Sequence, residues 1–400
     1  MVNSLRHMAA ALVPVLLLTG CGRPPENPGS PAGVASEPAS GPSAEPEPTP
    51  TPTSTPAEPR RATVVMNGDL LWHNTLVMSA ADNARRSGGG ATLDFAPILA
   101  GVRPVVETAD MAICHNEVPI APPGGPYRFY PSFRAPQETL DAVRATGFDL
   151  CTTVSNHSLD DGWDGLVRTV RGLQDRGVLV AGTAETQAQA DRPAIFTTTT
   201  GVRIAVVSGT YGTNGYPRPR GREWSVPDLD VETMIRKAGA ARADGADIVL
   251  AAIHGGEEYD HAPNAEQRRV AEQLTASDEI DLVYGHHVHV VQPITRINGK
   301  WVAFGLGNLV AQHHSDVPAG YEGITMRFTF VERNGRFEVD LAEYFPTLVT
   351  RYSAQTPARV LLVGESLERG VGDRARMLKA RDRTRRVVHS VGNADGLAER

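Results

Sequence analysis

The chain has 400 residues, 41% of them hydrophobic, and its 46 acidic against 39 basic side chains give a formal net charge of -7. That length and apolar content allow one large domain or two ordinary ones, and the acidic balance argues against a general nucleic-acid binder, which carries a basic excess. Three cysteines are too few for a disulfide framework, and none is paired at CxxC spacing, which argues against a thiolate zinc site.

Residues 1–21, MVNSLRHMAAALVPVLLLTGC, have the form of a secretory signal, with Arg6 before an apolar run at 9–18 that is too short to span a bilayer comfortably. The ending Leu18-Thr19-Gly20-Cys21 resembles a bacterial lipobox. It implies lipidation at Cys21 and an extracytoplasmic protein held on the cell membrane by acyl chains. Residues 22–61 read as a disordered linker, since twelve prolines fall between 24 and 60. Such a stretch has too little apolar surface to offset the entropy of ordering, and its proline content keeps it extended as a spacer.

From Ala62 the composition changes, and a folded domain is expected over 62–350. Runs rich in Val and Ile at 62–68, 110–114, 149–155, 202–209, 247–253 and 281–285 predict buried strands. Between them, 137–147, 162–177 and 264–277 have helical spacing, and the first two end at glycine. Alternating strand and helix predicts an α/β fold. Segments 301–310, 323–332 and 336–345 predict antiparallel strands with one face exposed. Residues 351–400, with eleven basic and six acidic side chains, predict a basic helical extension centred on 374–386, read as a solvated terminal helix.

Metal-type side chains follow the predicted strands. Asp69 and His73 come after the first, His115, Asn116 and Glu117 after the second, and Asn156, His157 and Asp160 after the third. His254, Glu257 and Glu258 follow 247–253, and His286, His287 and His289 follow 281–285. Ligands in open α/β sheets bind beyond the carboxyl ends of the strands, so five strands deliver donors to one edge. Imidazole with carboxylate or amide oxygen, and no thiolate, suits Mn, Fe, Zn or Ni. The supply exceeds one four-coordinate site, which leaves one divalent ion or a bridged pair.

The motifs NGDLLWHN (67–74), CHNEVPI (114–120), SNHSLDDGWDG (155–165), AIHGGEEY (252–259), GHHVHVVQPI (285–294) and FGLGNLV (304–310) occur in an order that resembles the CapA family of poly-γ-glutamate capsule proteins, a branch similar to calcineurin-like metallophosphoesterases. The resemblance implies a layered α/β/β/α metallophosphoesterase-like sandwich. It implies Asp69, Glu117, Asn156, His254, His287 and His289 as metal ligands, and His157 as the group that stabilises developing phosphoryl charge or the leaving group. Asp160 is grouped with His157, although its position favours capping of the helix that follows. His73, Asn116, Glu258, His286 and Asn308 are candidate supporting residues; Glu258 is expected either to orient His254 or to lie in a surface loop. Leu71 stands where the metallophosphoesterase first motif has histidine, and Asn-Glu replaces the usual second motif. The implied partners are an anionic polymer or phosphoester substrate and polymer synthase components. Hydrolysis and non-catalytic polymer holding both stay open, as does a secreted phosphoesterase unrelated to capsule.

Cys114 and Cys151 fall in similar strands and are expected as buried free thiols, with a disulfide the alternative outside the cytoplasm. The segment 210–224, rich in Gly and Pro with Arg218, Arg220, Arg222 and Trp224, is either a cover over an anionic substrate or an irregular solvated loop.

Overall fold

The computed structural model describes residues 58–313 and 316–400. The signal segment, Cys21 and nearly all of the linker lie outside the described residues. In chain order the strands are β1 (Arg61–Leu70), β2 (Met111–Asn116), β3 (Leu150–Thr152), β4 (Leu179–Ala181), β5 (Ile195–Thr197), β6 (Arg203–Thr210), β7 (Ile248–His254), β8 (Leu282–His286), β9 (Ile294–Ile297), β10 (Lys300–Ala303), β11 (Asn308–Val310), β12 (Glu322–Arg333), β13 (Arg336–Val349), β14 (Val360–Leu362) and β15 (Leu397–Glu399). They form two sheets. The first runs β14-β13-β12-β1-β2-β3-β4, with β11 also on β1 and β15 on β13, and the second runs β5-β6-β7-β8-β10-β9.

Side-chain alternation along each strand builds the layers. Val64 and Met66 of β1 meet Ile204, Val206, Leu250 and Leu282 of the second sheet in a core between the sheets. Val65 and Ala112, pointing the other way, pack under Leu76, Ala80, Leu140 and Val143 of the helices Asn74–Ser87 and Glu138–Thr146. On the far side, Ala205, Val249 and Ala251 pack under Met234, Ala238, Val270 and Leu274 of the helices Val231–Ala243 and Ala265–Ala276. The result is an α/β/β/α sandwich. Because both faces of the central strands are covered, they read as continuous apolar runs.

Three expectations need correction. Residues 301–310 are not one antiparallel strand: β10 pairs in parallel with β8 in the second sheet, and β11 pairs in parallel with β1 in the first. The chain changes sheets at Phe304–Gly307, beside Gly285, where an added Cβ would strike the carbonyl oxygen of Phe304. Residues 351–400 do not stand clear of the domain. β14 and β15 extend the first sheet, and the helix Arg374–Val388 buries Met377, Ala380, Thr384 and Val388 and sends Arg383 to the buried Glu322.

The third correction concerns Cys114 and Cys151, which form a disulfide rather than free thiols. The parallel register of β2 and β3 sets the two residues opposite each other with Cα atoms 4.5 Å apart, within bridging reach. Removing the 37-residue cross-link by Cys151→Ala is expected to cost about 2–4 kcal/mol of stability. Denaturant unfolding against oxidised wild-type protein measures it, with reduced wild-type protein as the control for the side-chain change.

Candidate metal centre

Register brings the donors together. β1, β2 and β3 are parallel, as are β6, β7 and β8, so the carboxyl ends of both sets open at one edge of the sandwich. Asp69 pairs with His115 across β1 and β2, and His254 pairs with His286 across β7 and β8. The imidazoles of His115 and His286 stack with centroids 4.0 Å apart, joining the two sheet edges.

Three sets of donor atoms converge there, each within 4.8 Å: Asp69, His115 and His286; Glu117, His254 and His287; Asp69, Glu117 and His289. All of these side chains are buried. Asp69 Oδ1 lies 2.6 Å from His286 Nδ1, and Oδ2 lies 3.1 Å from His289 Nδ1. Glu117 Oε1 lies 3.6 Å from His289 Nε2 and 4.0 Å from His254 Nε2. His254 is flanked by His115 Nε2 at 3.0 Å and by Asn156 Oδ1 at 2.8 Å.

The electrostatics are those of a site built for a cation. Burial alone would raise Asp69, but hydrogen bonds with His286 and His289 hold it well below the usual carboxylate range. Burial pushes Glu117 well above that range. Burial and neighbouring histidines hold His115 and His254 well below the usual imidazole value, and His287 down to about 3. Burial opposes charge on His289, yet Glu117 and Asp69 outweigh it and push its pKa up to about 10. Both carboxylate oxygens of Glu117 are buried without a hydrogen-bond partner, and so is His287 Nδ1. A native protein leaves few such groups unpaired, and a bound ion would satisfy them. Oxygen and imidazole donors without thiolate fit a divalent metal.

The loop holding the last donors is strained. His287 has φ 89° and His289 φ 55°, and Tyr259, whose ring lies 6.1 Å from that of His289, has φ 65°. Among the described residues, every other positive φ falls on Asn or Gly. Such conformations cost about 1–3 kcal/mol each and persist where surrounding structure imposes them.

The supporting residues divide. Asn308 Oδ1 lies 3.0 Å from His289 Nδ1, and Asn308 Nδ2 donates to the carbonyls of His289 and Gly320. Asn116 turns away from the donors: its Oδ1 accepts from Trp72 Nε1 and its Nδ2 donates to the Val118 carbonyl. His73 lies outside the three donor sets; its Nδ1 accepts from the Gln312 backbone, and burial lowers its pKa to about 4. Glu258 is exposed and makes no contact with His254, whose nitrogens face His115 and Asn156, so the orienting role expected of Glu258 is not seen. His286 belongs to one of the three donor sets, and its Nδ1 also lies 2.6 Å from Asp69 Oδ1, as a supporting residue would.

Asp160 does not cap the helix Gly162–Gln174, whose N-cap is Asp161. Its Oδ2 instead accepts from His157 Nδ1 at 2.7 Å and from the Phe133 backbone at 2.7 Å. That pairing fixes the imidazole and leaves Nε2 as its free nitrogen. His115, one of the metal-type side chains after the second strand, is absent from the expected ligand set, and Asn214 has no signal in the sequence. Asn214, in the 210–224 segment, accepts from Asn156 Nδ2 at 3.1 Å and lies 3.4 Å from His157 Nδ1, so that segment reaches the site.

Fold and donors define a layered α/β protein with a buried centre of divalent-metal type. Residues 63–313 match the family described as bacterial capsule synthesis protein PGA_cap, and the chain belongs to that family. It is 28% identical over 175 residues to the PGA biosynthesis protein CapA of Bacillus subtilis, covering 44% of this chain and 45% of that one. It is also 28% identical over 183 residues to the capsule biosynthesis protein CapA of Bacillus anthracis, covering 44% and 43%. A probable polyglutamine synthesis accessory protein of Mycobacterium tuberculosis matches at 28% over 207 residues, half of each chain. The chain thus spans about half the length of the relatives it matches or slightly less. Among solved structures, a calcineurin-like phosphoesterase of Bacillus subtilis aligns at 14% identity with TM-score 0.39, covering 82% of this chain and 97% of that one.

Proposed function

We propose that the protein is a divalent-metal-dependent hydrolase-like component of poly-γ-glutamate capsule formation, or of a related anionic surface polymer, acting outside the cytoplasm and anchored to the membrane through lipidated Cys21. The observation that carries the metal reading is Glu117, a buried carboxylate with neither oxygen hydrogen-bonded, set among histidines that share it with Asp69. Sharing of Asp69 and Glu117 between donor sets supports one or two ions, with Mn, Fe or Zn suited to the donors.

A bound divalent ion supplies Lewis acidity and lowers the pKa of water. The chain's own residues do the rest. Asp69 and Glu117 hold charge, Asn156 and Asn308 fix the orientations of His254 and His289, and Asp160 holds His157 with Nε2 available to move a proton at the leaving group. His157→Asn is expected to lower hydrolysis by about 10²–10⁴-fold while leaving metal content unchanged. The assay is purified protein reloaded with Mn or Zn and offered a phosphodiester and poly-γ-glutamate. No turnover of either by the loaded wild-type protein would overturn the hydrolase reading.

A second reading, a non-catalytic component that holds or exports the polymer, is favoured by the first motif. Leu71 is buried core there, and His73 stays outside the donor sets. A folded Asp69→Ala, His254→Ala double variant that fully restores capsule in a deletion strain would select it.

A further inference from the structure

Beside the His157–Asp160 pair, Asp161 is ringed by three guanidinium groups. Its Oδ1 pairs with Arg128 at 3.1 Å and with Arg134, and its Oδ2 pairs with Arg168. Asp161 is almost fully buried, whereas Arg128 keeps 43% of its side chain exposed. Among the described residues, Asp161 is the only carboxylate ion-paired with any of the three. Three positive charges on one negative leave an excess of two, more than pairing with Asp161 requires. Arg134 Nε is also buried without a partner. Like charges held this close repel one another, and the arrangement is relieved when a second anion joins it.

The cluster is tied to the candidate centre. Arg128 Nη2 donates to the Asp160 carbonyl at 2.8 Å, and the Asp160 carboxylate holds His157. Phe133, between Arg128 and Arg134 on the same loop, packs edge-on against His157 with centroids 4.9 Å apart. Ser132 and Tyr216 join that loop to the 210–224 segment through a 3.3 Å hydrogen bond. Arg222 of that segment lies 4.3 Å over the Trp163 ring, which adds another cation on the Gly162–Gln174 helix.

We propose that Arg128, Arg134 and Arg168 form an oxyanion subsite that takes a carboxylate group of the substrate next to the one being acted on. The substrate assignment rests on the anionic-polymer reading above; the existence of an anion site does not. Guanidinium presents paired N–H donors that match a carboxylate or phosphate edge. A polymer bearing a carboxylate on each unit would place one there while a neighbouring unit sits at the metal centre.

The test is calorimetric binding of a γ-linked glutamate oligomer and of inorganic phosphate to the full chain, with Arg128→Gln and Arg128→Lys in parallel. Arg128→Gln leaves Asp161 paired with Arg134 and Arg168, and its thermal transition is the check that it folds. Wild type is expected to bind the oligomer, with Arg128→Gln weaker by tenfold or more and Arg128→Lys intermediate. Equal oligomer and phosphate binding by wild type and Arg128→Gln, or binding of neither probe by wild type, overturns the subsite. Arginine-dependent binding of phosphate alone keeps the anion site and overturns the polymer assignment.

Discussion

Asp69→Asn abolishes tight metal binding: the expected loss in affinity exceeds the 10–100-fold that removal of an outer hydrogen-bond partner costs. Asp69 contributes to two of the three donor sets and is held by His286 and His289. Asparagine keeps the shape but removes the charge and one acceptor oxygen. Titration calorimetry with Mn or Zn reads the change, and it has a pH signature. In the metal-free protein the raised His289 contributes stability that is full below about 6.5 and lost as pH rises through about 10. Metal must displace that proton, so wild-type affinity is expected to climb about tenfold per pH unit between 6.5 and 8.5. A flat profile would mean that His289 does not bind the ion.

The largest stability effect is expected at Trp72, three residues beyond Asp69. Its indole is fully buried, packs edge-on against Phe95 at 5.3 Å, and donates to Asn116 beside Glu117. Trp72→Ala removes the packing and leaves a cavity, for an expected cost of about 3–5 kcal/mol. At about 2–4 °C per kcal/mol, the melting temperature falls by roughly 10 °C. Thermal unfolding of the variant against wild type measures it. Trp72→Phe, which keeps most of the apolar volume, is expected to lose less than half as much.

Much of this was legible in the sequence. Strands covered on both faces write themselves as apolar runs, and residues that follow parallel strands must gather at one edge. Those two facts located Asp69, Glu117, Asn156, His254 and the His286–His289 loop. Strand alternation carried a signal that was not used. In His115-Asn116-Glu117, the first and third residues share a face, which makes His115 a donor and turns Asn116 toward Trp72. The division of labour among His286, His287 and His289 was not legible, because it depends on two residues taking positive φ. Asn214 was hidden for a different reason. It comes from an irregular segment with no periodic pattern to show which way it folds. The helices Asn74–Ser87 and Val231–Ala243 were passed over; the first has no side-chain cap to mark its start, and apolar faces in both are largely alanine.

The central claim is that the buried Glu117 carboxylate faces a divalent ion. Anomalous diffraction at the metal absorption edge, on crystals of protein equilibrated with Mn or Zn, tests it most directly. The account predicts at least one anomalous peak within coordination distance of Glu117 and either Asp69 or His254. Crystals of metal-saturated protein with no peak there, or with a peak only at surface carboxylates, would contradict it.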